Sequence, residues 1–267
     1  MAGAGNDFIL IEALKGLDYK KLTLKICDRT NGIGADGVLV LDKSSKADYR
    51  MRIINADGSE AEMCGNGARC IAAYIVRHKK LAKKMFSIET LAGIISGEAK
   101  GETATVRLSD PRDYRPNIPL IVNKRKIQAH YIDTGVPHTI IYVQGLDGIP
   151  VNEIGPSIRR HEAFAPRGTN VNFVEQVGDN LVAVRTFERG VEGETKACGT
   201  GSVAAGLVSY LQFHPEVIQQ NRKKARMNVL TKSGETLRVT FDIADGKLTN
   251  VWLKGSARFI AEGEYFI

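Results

Sequence analysis

Two cysteines in matched sequence contexts are the residues best suited to chemistry in this chain. Glu60 to Gly67 reads EAEMCGNG and Glu194 to Gly201 reads ETKACGTG, so each stretch has a glutamate followed four residues later by Cys-Gly-x-Gly. Cys64 and Cys198 are 134 residues apart, which is half of the 267-residue chain. The repeat predicts two similar halves that each present one thiol.

A Cys-Gly-x-Gly turn that runs into a helix would place each cysteine at the helix N-terminus. The free backbone N–H groups there favour anions, and they lower a thiol pKa from its usual value of about 8.5. Two such thiols suit a reaction that needs a base on one side of a carbon and an acid on the other. Racemisation at the α-carbon of an amino acid is such a reaction, and donors around the carboxylate would stabilise the developing charge.

Other uses of the cysteines fit the sequence less well. Cys27 and Cys70 lack the matched context, and we interpret them as small core residues. Zinc is not expected, because no C-x-x-C pair or histidine spacing accompanies the thiols. A redox disulfide is an alternative, which we interpret as a vulnerability. A Cys–His–Asp protease would need one cysteine and would leave the repeat unexplained.

The composition is that of an ordinary globular protein, with 43% hydrophobic and 25% charged residues. No apolar run approaches the roughly 20 residues that span a bilayer, and no signal peptide is visible, so we expect reduced thiols. The net charge of +7 is spread over short basic segments at 77–84, 124–126 and 222–226. We interpret these segments as solvated faces, because no aromatic residues interleave them as in a nucleic-acid site.

The order of predicted elements is strand, Cys-Gly-x-Gly, helix and strands, and it occurs twice. This order predicts an α+β fold in which each half wraps a mainly antiparallel sheet around a central helix. Buried helices are predicted after the motifs at 68–77 and 202–211. The segment 18–29 is predicted to be a helix that contributes Leu22, Leu24, Ile26 and Cys27 to the core.

Three prolines, Pro111, Pro116 and Pro119, predict a break between the halves. The predicted N-terminal half is 1–113, completed by a C-terminal strand within 256–267, with strands at 258–260 and 264–267. The predicted C-terminal half is 114–255. Within the repeat, Asn6 is matched with Asn170, which implies about 30 extra residues before the first cysteine.

Five longer motifs carry a family resemblance over essentially the whole chain. They are GAGNDF at 3–8, DRTNGIGADG at 28–37, NADGSEAEMCGNGARC at 55–70, TNVNFVE at 169–175 and ERGVEGETKACGTG at 188–201. The sequence resembles the diaminopimelate epimerases, which are independent of pyridoxal phosphate. The resemblance implies interconversion of LL- and meso-diaminopimelate in lysine and peptidoglycan-precursor synthesis, with two pseudo-symmetric halves and the active site in the cleft between them. It also implies a cytoplasmic homodimer with a small-molecule substrate, no cofactor, no metal, and no nucleic-acid or membrane partner.

The resemblance also implies roles for individual residues. Cys64 and Cys198 would be the acid/base pair, and Gly65-Asn66 and Gly199-Thr200 would cradle the reacting carboxylate. The residues expected to bind substrate, chiefly its distal end, are Asn6, Asn55, Asn170 and Arg189. Glu188, placed with the substrate-binding residues, and His138 would be polar partners that tune the thiols. We interpret Arg69, Arg185 and Glu194 as supporting ion pairs.

The chain departs from the family pattern at three places. Val136 occupies the position of an asparagine in Gly-Asn-Pro-His, Gly37 occupies the position of a frequent glutamine, and Met1 directly precedes AGAGNDF, where members usually have a few more residues that form a strand. The nearest alternatives are proline racemase or hydroxyproline epimerase, which typically have histidine at the position of Asn66, and phenazine-biosynthesis-type isomerases, which lack the cysteine pair. A non-catalytic amino-acid-binding or redox-sensing protein of this fold is the alternative of another class.

Overall fold

A computed structural model describes residues 1–79, 85–216 and 223–266. The chain divides into two compact units, one of Met1–Arg107 with Lys254–Ile267 and one of Leu108–Leu253. Residues 80–84 and Arg222 of the predicted basic segments lie outside the described residues. In the parts of the chain that the structure describes, no helix is long and apolar enough to cross a membrane.

The first unit contains two α-helices and a set of strands. Their bounds are β1 Ala2–Gly3, β2 Asn6–Glu12, α1 Tyr19–Ile26, β3 Gly37–Asp42, β4 Tyr49–Asn55, β5 Glu60–Ala61, α2 Gly65–His78, β6 Phe86–Thr90, β7 Gly93–Lys100 and β8 Thr103–Arg107. The pairs β2–β3 and β4–β6 are parallel. The pairs β1–β2, β3–β4, β4–β5, β6–β7 and β7–β8 are antiparallel.

The second unit follows the same plan. Its elements are β9 Arg112–Val122, β10 Arg125–Asp133, β11 Pro137–Tyr142, α3 Val151–Arg159, β12 Asn170–Gly178, β13 Leu181–Glu188, β14 Gly193–Thr195, α4 Gly199–Phe213, β15 Lys223–Thr231, β16 Thr236–Ala244 and β17 Lys247–Ser256, the last of which continues past Leu253. The pairs β11–β12 and β13–β15 are parallel. The pairs β9–β10, β10–β11, β12–β13, β13–β14 and β15–β16 are antiparallel.

One buried helix forms the centre of each unit. In the first, α2 packs on β7 and β8, and Ile71, Ala72 and Ile75 are fully buried. In the second, α4 packs on β15, and Val203 and Leu207 are fully buried. The helix α4 lacks a polar face because it is buried along most of its length, as expected for an apolar helix in a core, whereas α2 is exposed near its C-terminus at Val76 and Arg77. The predicted α+β class, with mainly antiparallel sheet around a central helix in each half, is confirmed.

The strand registers correct the predicted match between Asn6 and Asn170. Ile54 pairs with Glu60 and Val38, and Phe187 pairs with Glu194 and Val171. On the next strand Val38 pairs with Ile9, and Val171 pairs with Thr139. Ile9 of β2 is therefore equivalent to Thr139 of β11, and β12 is equivalent to β3.

This register makes Asn6 equivalent to Val136 and Gly37 equivalent to Asn170. Gly5 and Gly135, the residues before Asn6 and Val136, both have left-handed backbones with φ of 91° and 102°, which supports the match. From residue 6 to Cys64 is 58 residues, and from residue 136 to Cys198 is 62. The predicted 30-residue difference between the halves was therefore wrong, because two asparagines on non-equivalent strands had been aligned.

The prolines that predicted a boundary near residue 113 do not interrupt the strands, although the two units divide nearby, between Arg107 and Leu108. Pro116 and Pro119 lie inside β9, an 11-residue strand that pairs with β10. Asn123 and Lys124 link the two strands with φ of 50° and 65°, the geometry of a two-residue type I′ turn. In such a hairpin the pair Pro119–Gln128 is a non-hydrogen-bonded pair, so the ring nitrogen of Pro119 needs no N–H toward β10.

The predicted burial of Leu24 and the predicted C-terminal strands are both wrong. Leu24 is 48% exposed, because α1 buries the face that carries Leu22 and Ile26 and Leu24 lies on the opposite side. The C-terminal segment forms an isolated bridge between Arg258 and Ala2, and residues 259–266 contain no strand. The strand next to it, β1, is two residues long and so offers little to pair with. Ile267, the end of the predicted last strand, is outside the described residues.

A glycine in α3 fixes the distance of this helix from β13. A Cβ atom at Gly155 would lie 2.5 Å from Cγ of Phe187, whose side chain is 2% exposed. We expect Gly155→Ala to lower the free energy of unfolding by about 1–3 kcal/mol, because overpacking outweighs the gain in helix propensity. Urea unfolding monitored by circular dichroism measures this change.

Gly148→Ala is the matched control for that substitution. A Cβ atom at Gly148 would meet no atom within 4 Å. Its stability is expected to stay within about 0.5 kcal/mol of the parent chain. Equal effects of the two substitutions would show that contact with Phe187 does not set the helix position.

Candidate active site

Cys64 caps the N-terminus of α2. Its Sγ accepts a hydrogen bond from the backbone N–H of Gly67 at 3.4 Å, and its backbone is extended. The turn packs closely at Gly67, since a Cβ there would lie 2.8 Å from a methyl group of Leu39, whose side chain would have to move. The predicted helix N-terminal position of Cys64 is therefore observed.

The cap of α2 is held by a chain of polar side chains. Asn66 donates to Oδ1 of Asn6 at 2.6 Å, and Asn6 donates to Asp36 at 2.8 Å. Arg29 forms ion pairs with Asp36 at 2.7 Å and with Asp7 at 2.8 Å. This chain of contacts fixes two predicted site residues, Asn6 and Asn66, in the first unit.

Arg69 completes this arrangement from inside the helix. Its side chain is fully buried, and it donates to Oδ1 of Asn66 at 2.8 Å and to the carbonyls of Gly65 and Ser256 at 3.3 Å. These contacts are hydrogen bonds to neutral acceptors. Through these contacts Arg69 supports the Gly65-Asn66 turn.

Cys198 caps α4 in the same way. Its Sγ accepts from the backbone N–H of Gly201 at 3.4 Å, and its side chain is 7% exposed. The Thr200 hydroxyl lies 3.5 Å from the same sulfur. A Cβ at Gly201 would lie 2.5 Å from Oδ1 of Asn172, so this glycine is required. Gly199 and Thr200 begin the helix as predicted.

Two further polar groups lie at this turn: Glu188 is hydrogen-bonded to Cys198, and His138 contacts Thr200. Burial raises the pKa of Glu188, and its hydrogen bond with Cys198 acts in the opposite direction. His138 is fully buried, and its Nε2 lies 3.0 Å from Oγ1 of Thr200. Burial and the nearby Arg189 lower the pKa of His138 to about 3, so the ring is neutral near pH 7.

Asn170 and Arg189 adjoin this group. Oδ1 of Asn170 accepts from the backbone N–H of Arg189 at 2.8 Å, and its amide donates to the carbonyl of Pro137 at 2.9 Å. The Arg189 guanidinium donates to the carbonyl of Arg167 at 3.0 Å. A guanidinium has five N–H donors, so Arg189 retains the capacity to bind a carboxylate.

Asn55 ends β4 and is exposed, and it donates to Oγ of Ser59 at 3.0 Å. Its strand neighbour Gly37 has no room for a side chain, because a Cβ there would lie 2.6 Å from the carbonyl oxygen of Ile54. A glutamine at position 37 would require the strands to move. Val136 is equivalent to Asn6 and offers no hydrogen bond to the turn of its cysteine.

The repeated glutamates have a structural function in both units. Glu60 pairs with Arg52 at 2.7 Å, and Glu194 pairs with Arg185 at 2.6 Å, each from the strand before it. Arg185 also donates to the carbonyls of Leu146, Asp147 and Ile149. Each pair closes the hairpin that leads into its cysteine, so the interpretation of Arg185 and Glu194 as an ion pair is correct.

Sequence reasoning missed Asn172 and Thr186 near Cys198. Asn172 is fully buried, accepts from Thr186 at 2.9 Å and contacts Nδ1 of His138 at 3.2 Å. The signal was an asparagine inside the apolar strand NVNFVE, where a buried polar side chain calls for partners. Within 1–79, 85–216 and 223–266, no group of three His, Cys, Asp or Glu side chains is placed to hold a metal ion.

A family model described as diaminopimelate epimerase matches residues 1–112 and 130–260. The chain belongs to the diaminopimelate epimerase family. A diaminopimelate epimerase from Caldanaerobacter subterraneus is 40% identical, with 99% of this chain and 97% of that protein covered. One from Methanothrix thermoacetophila is 45% identical, with 90% of this chain and 86% of that protein covered.

Solved structures similar to this family member share its fold at low identity. A phenazine biosynthesis protein of the PhzF family from Bacillus anthracis has a TM-score of 0.73 and 20% identity, covering 100% of this chain and 95% of its own. A probable proline racemase from Agrobacterium radiobacter has a TM-score of 0.65 and 14% identity, covering 96% and 88%. At these identities the likeness shows the fold alone.

Proposed function

We propose that this member of the diaminopimelate epimerase family interconverts LL- and meso-2,6-diaminopimelate, with Cys64 and Cys198 as its acid/base pair. The observation that carries the proposal is the matched cap: each cysteine sits at the N-terminus of a buried helix and accepts from the glycine N–H three residues on, at 3.4 Å in both units. The names of relatives at 40–45% identity supply the substrate.

The proposed reaction is a two-base proton transfer. One cysteine, as thiolate, takes the α-proton, an S–H bond forms, and the electron pair of the C–H bond moves toward the carboxylate. The other cysteine, as thiol, returns a proton to the opposite face of the carbon, so the two sulfurs exchange protonation states. This mechanism requires the two thiols to approach opposite faces of one α-carbon.

The backbone N–H groups at the helix starts are proposed to stabilise the reacting carboxylate. Gly65-Asn66 and Gly199-Thr200 lie where α-helices leave N–H groups without intrahelical partners. Charge that develops on the carboxylate in the transition state would strengthen those hydrogen bonds. All of these groups belong to the protein itself, so the proposed mechanism uses no cofactor.

The remaining predicted residues are proposed to select the substrate and to adjust the protonation of the thiols. Arg189, Asn170, Asn6 and Asn55 would bind the distal amino-acid end, which makes a substrate with two such ends preferable to a smaller amino acid. Glu188, whose pKa is raised by burial, would exchange a proton with the adjacent Cys198. The same proposal expects a cytoplasmic protein that forms a homodimer, and light scattering of the purified protein tests the oligomeric state.

The test of the function is deuterium incorporation at the α-carbon in D₂O, followed by mass spectrometry with LL-diaminopimelate and with L-proline. Exchange is expected with diaminopimelate and not with proline, because proline has no distal end for Arg189 and the asparagines to bind. Exchange with proline alone would move the chain to the racemase alternative. Binding of diaminopimelate without exchange would identify a binding protein on the same fold.

A further inference from the structure

A layer of buried polar side chains packs against α4, and the equivalent strand positions in the first unit are apolar. His138 and Asn172 are both fully buried. By the strand registers their equivalents in the first unit are Phe8 and Leu39, which are 5% and 0% exposed. One unit therefore builds this layer from apolar side chains, so packing alone does not require the polar pair of the other unit.

The third residue of this layer, Thr186, is also polar where the first unit has an apolar residue. Thr186 of β13 donates to Oδ1 of Asn172 at 2.9 Å, and its equivalent on β4 is Ile53. Burying three polar side chains costs free energy unless each is hydrogen-bonded. Their presence next to one of the two cysteines points to a function.

The hydrogen bonds of Asn172 fix which way its amide points. Its Nδ2 lies 3.0 Å from the carbonyl oxygen of Thr139, and a carbonyl can only accept. The same Nδ2 lies 3.2 Å from Nδ1 of His138, which must accept the second amide hydrogen. In a neutral imidazole one nitrogen accepts and the other carries the proton, so the proton of His138 is on Nε2.

The proton on Nε2 determines which atom donates in the contact of His138 with Thr200 and in the contact of Thr200 with Cys198. Nε2 lies 3.0 Å from Oγ1 of Thr200, and that hydroxyl lies 3.5 Å from Sγ of Cys198. A hydroxyl that accepts from the histidine is free to turn its own hydrogen to the sulfur. A donor to sulfur favours the thiolate over the thiol.

The charged groups near the ring keep it neutral. Burial, together with the Arg189 guanidinium, lowers the pKa of His138 to about 3, and Glu188 is hydrogen-bonded to Cys198. A second proton on the ring would need Nδ1, which Asn172 occupies as a donor. His138 thus serves as a neutral donor and does not take the proton of Cys198.

We propose that Asn172 is a positioning residue that holds His138 in its Nε2–H tautomer, so that Thr200 donates to the sulfur of Cys198 and stabilises its thiolate. The proposal rests on the function proposed above for Cys198. Under this proposal, different side chains stabilise the thiolates of Cys64 and Cys198. At Cys64 the residue equivalent to Thr200 is Asn66, which is bonded to Asn6 and Arg69.

The first test is the tautomer of His138 in the unmodified protein. A long-range ¹H–¹⁵N correlation spectrum distinguishes a protonated ring nitrogen from a bare one, and the His138→Gln variant assigns the signal among the five histidines. The proton is expected on Nε2 from pH 5 to pH 9. A proton on Nδ1, or a ring that becomes doubly protonated within that range, would overturn the proposal.

The second test is the titration of Cys198, measured as the ultraviolet thiolate absorbance of each protein minus that of the same protein with Cys198→Ser. The contribution of Cys27, whose thiol pKa burial raises to about 11, cancels in this difference. Asn172→Leu is expected to raise the midpoint by about one pH unit, the effect of losing one hydrogen bond to a charged group. Thr200→Val should do the same, and Thr200→Ser should restore the original midpoint.

The triple variant His138→Phe, Asn172→Leu, Thr186→Ile is the folding control, because it copies the apolar layer that Phe8, Leu39 and Ile53 form in the first unit. Its melting temperature is expected within a few degrees of the parent, with the Cys198 midpoint raised as in Asn172→Leu. A midpoint that moves in Thr200→Val but not in Asn172→Leu would refute the role of Asn172. Neither readout uses substrate, so loss of epimerase activity with an intact relay would count against the proposed function alone.

Discussion

Cys64→Ala and Cys198→Ala are each expected to lower kcat for the conversion of LL- to meso-diaminopimelate by about 10³-fold or more. A positioned proton donor or acceptor contributes roughly 10²- to 10⁴-fold, and a two-base reaction loses one complete proton transfer when either thiol is removed. Polarimetry or a coupled assay for the meso product measures the rate. Conversion is the appropriate readout, because a single remaining thiolate can still exchange the proton of one isomer.

Cys70→Ala is the matched control. Cys70 lies on α2 six residues after Cys64, and its side chain is fully buried. Its replacement is expected to change stability slightly and to leave the rate within about threefold, because it is remote from the cap of the helix. Parental conversion rates in Cys64→Ala or in Cys198→Ala would remove the two-base mechanism.

Glu194→Gln is expected to lower the free energy of unfolding by about 3 kcal/mol at pH 7. The Glu194 side chain is 5% exposed, and it meets two nitrogens of Arg185, at 2.6 and 3.0 Å, and Lys232 at 2.6 Å. Breaking a buried ion pair leaves the partner charge uncompensated, which costs about 3–5 kcal/mol. We expect the lower value of this range, because Arg185 would keep its hydrogen bonds to three carbonyl groups.

The effect of Glu194→Gln should depend on pH. Burial would raise the pKa of Glu194, but Arg185 and Lys232 outweigh it and the pKa is lowered. A carboxylate with a depressed folded-state pKa contributes stability above its unfolded value of about 4.3, and that stability is lost as pH falls through the folded-state pKa. The difference between the two proteins in urea unfolding should therefore shrink below about pH 4.

Glu192→Gln provides the comparison at the surface. Glu192 pairs with Arg159 and Arg160, and its side chain is 35% exposed. An exposed pair contributes about 0–1 kcal/mol, so this variant should remain close to the parent. Equal losses in Glu192→Gln and Glu194→Gln would mean that burial of the second pair adds nothing.

The matched cysteines could be predicted from the sequence because the features that place them are local. Cys-Gly-x-Gly before a run of small apolar residues specifies a cap and a buried helix, and the structure has both at Cys64 and at Cys198. The side chains that contact the thiols were harder to predict from the sequence. Thr200 was predicted beside its own cysteine, whereas Asn172 lies on a strand whose register only the folded sheet reveals.

Register also explains the main error in reading the repeat. Asn6 and Asn170 share a residue type and a similar setting in the sequence, but hydrogen-bonded pairing makes Val136 the equivalent of Asn6. Strand pairing between distant segments depends on contacts that no short motif contains. The prolines of β9 illustrate a separate point, because proline is excluded from a central strand but tolerated where its nitrogen faces away from the partner strand.

That strand has a consequence for the behaviour of the protein at high concentration. A row of unpaired backbone N–H groups along a strand is a template on which another chain can add, and such addition leads to aggregates. At Pro116 and Pro119 of β9 the backbone has no N–H to offer. Pro119, whose nitrogen faces away from β10, interrupts such a template on this strand, so β9 is a poorer starting point for the addition of another chain.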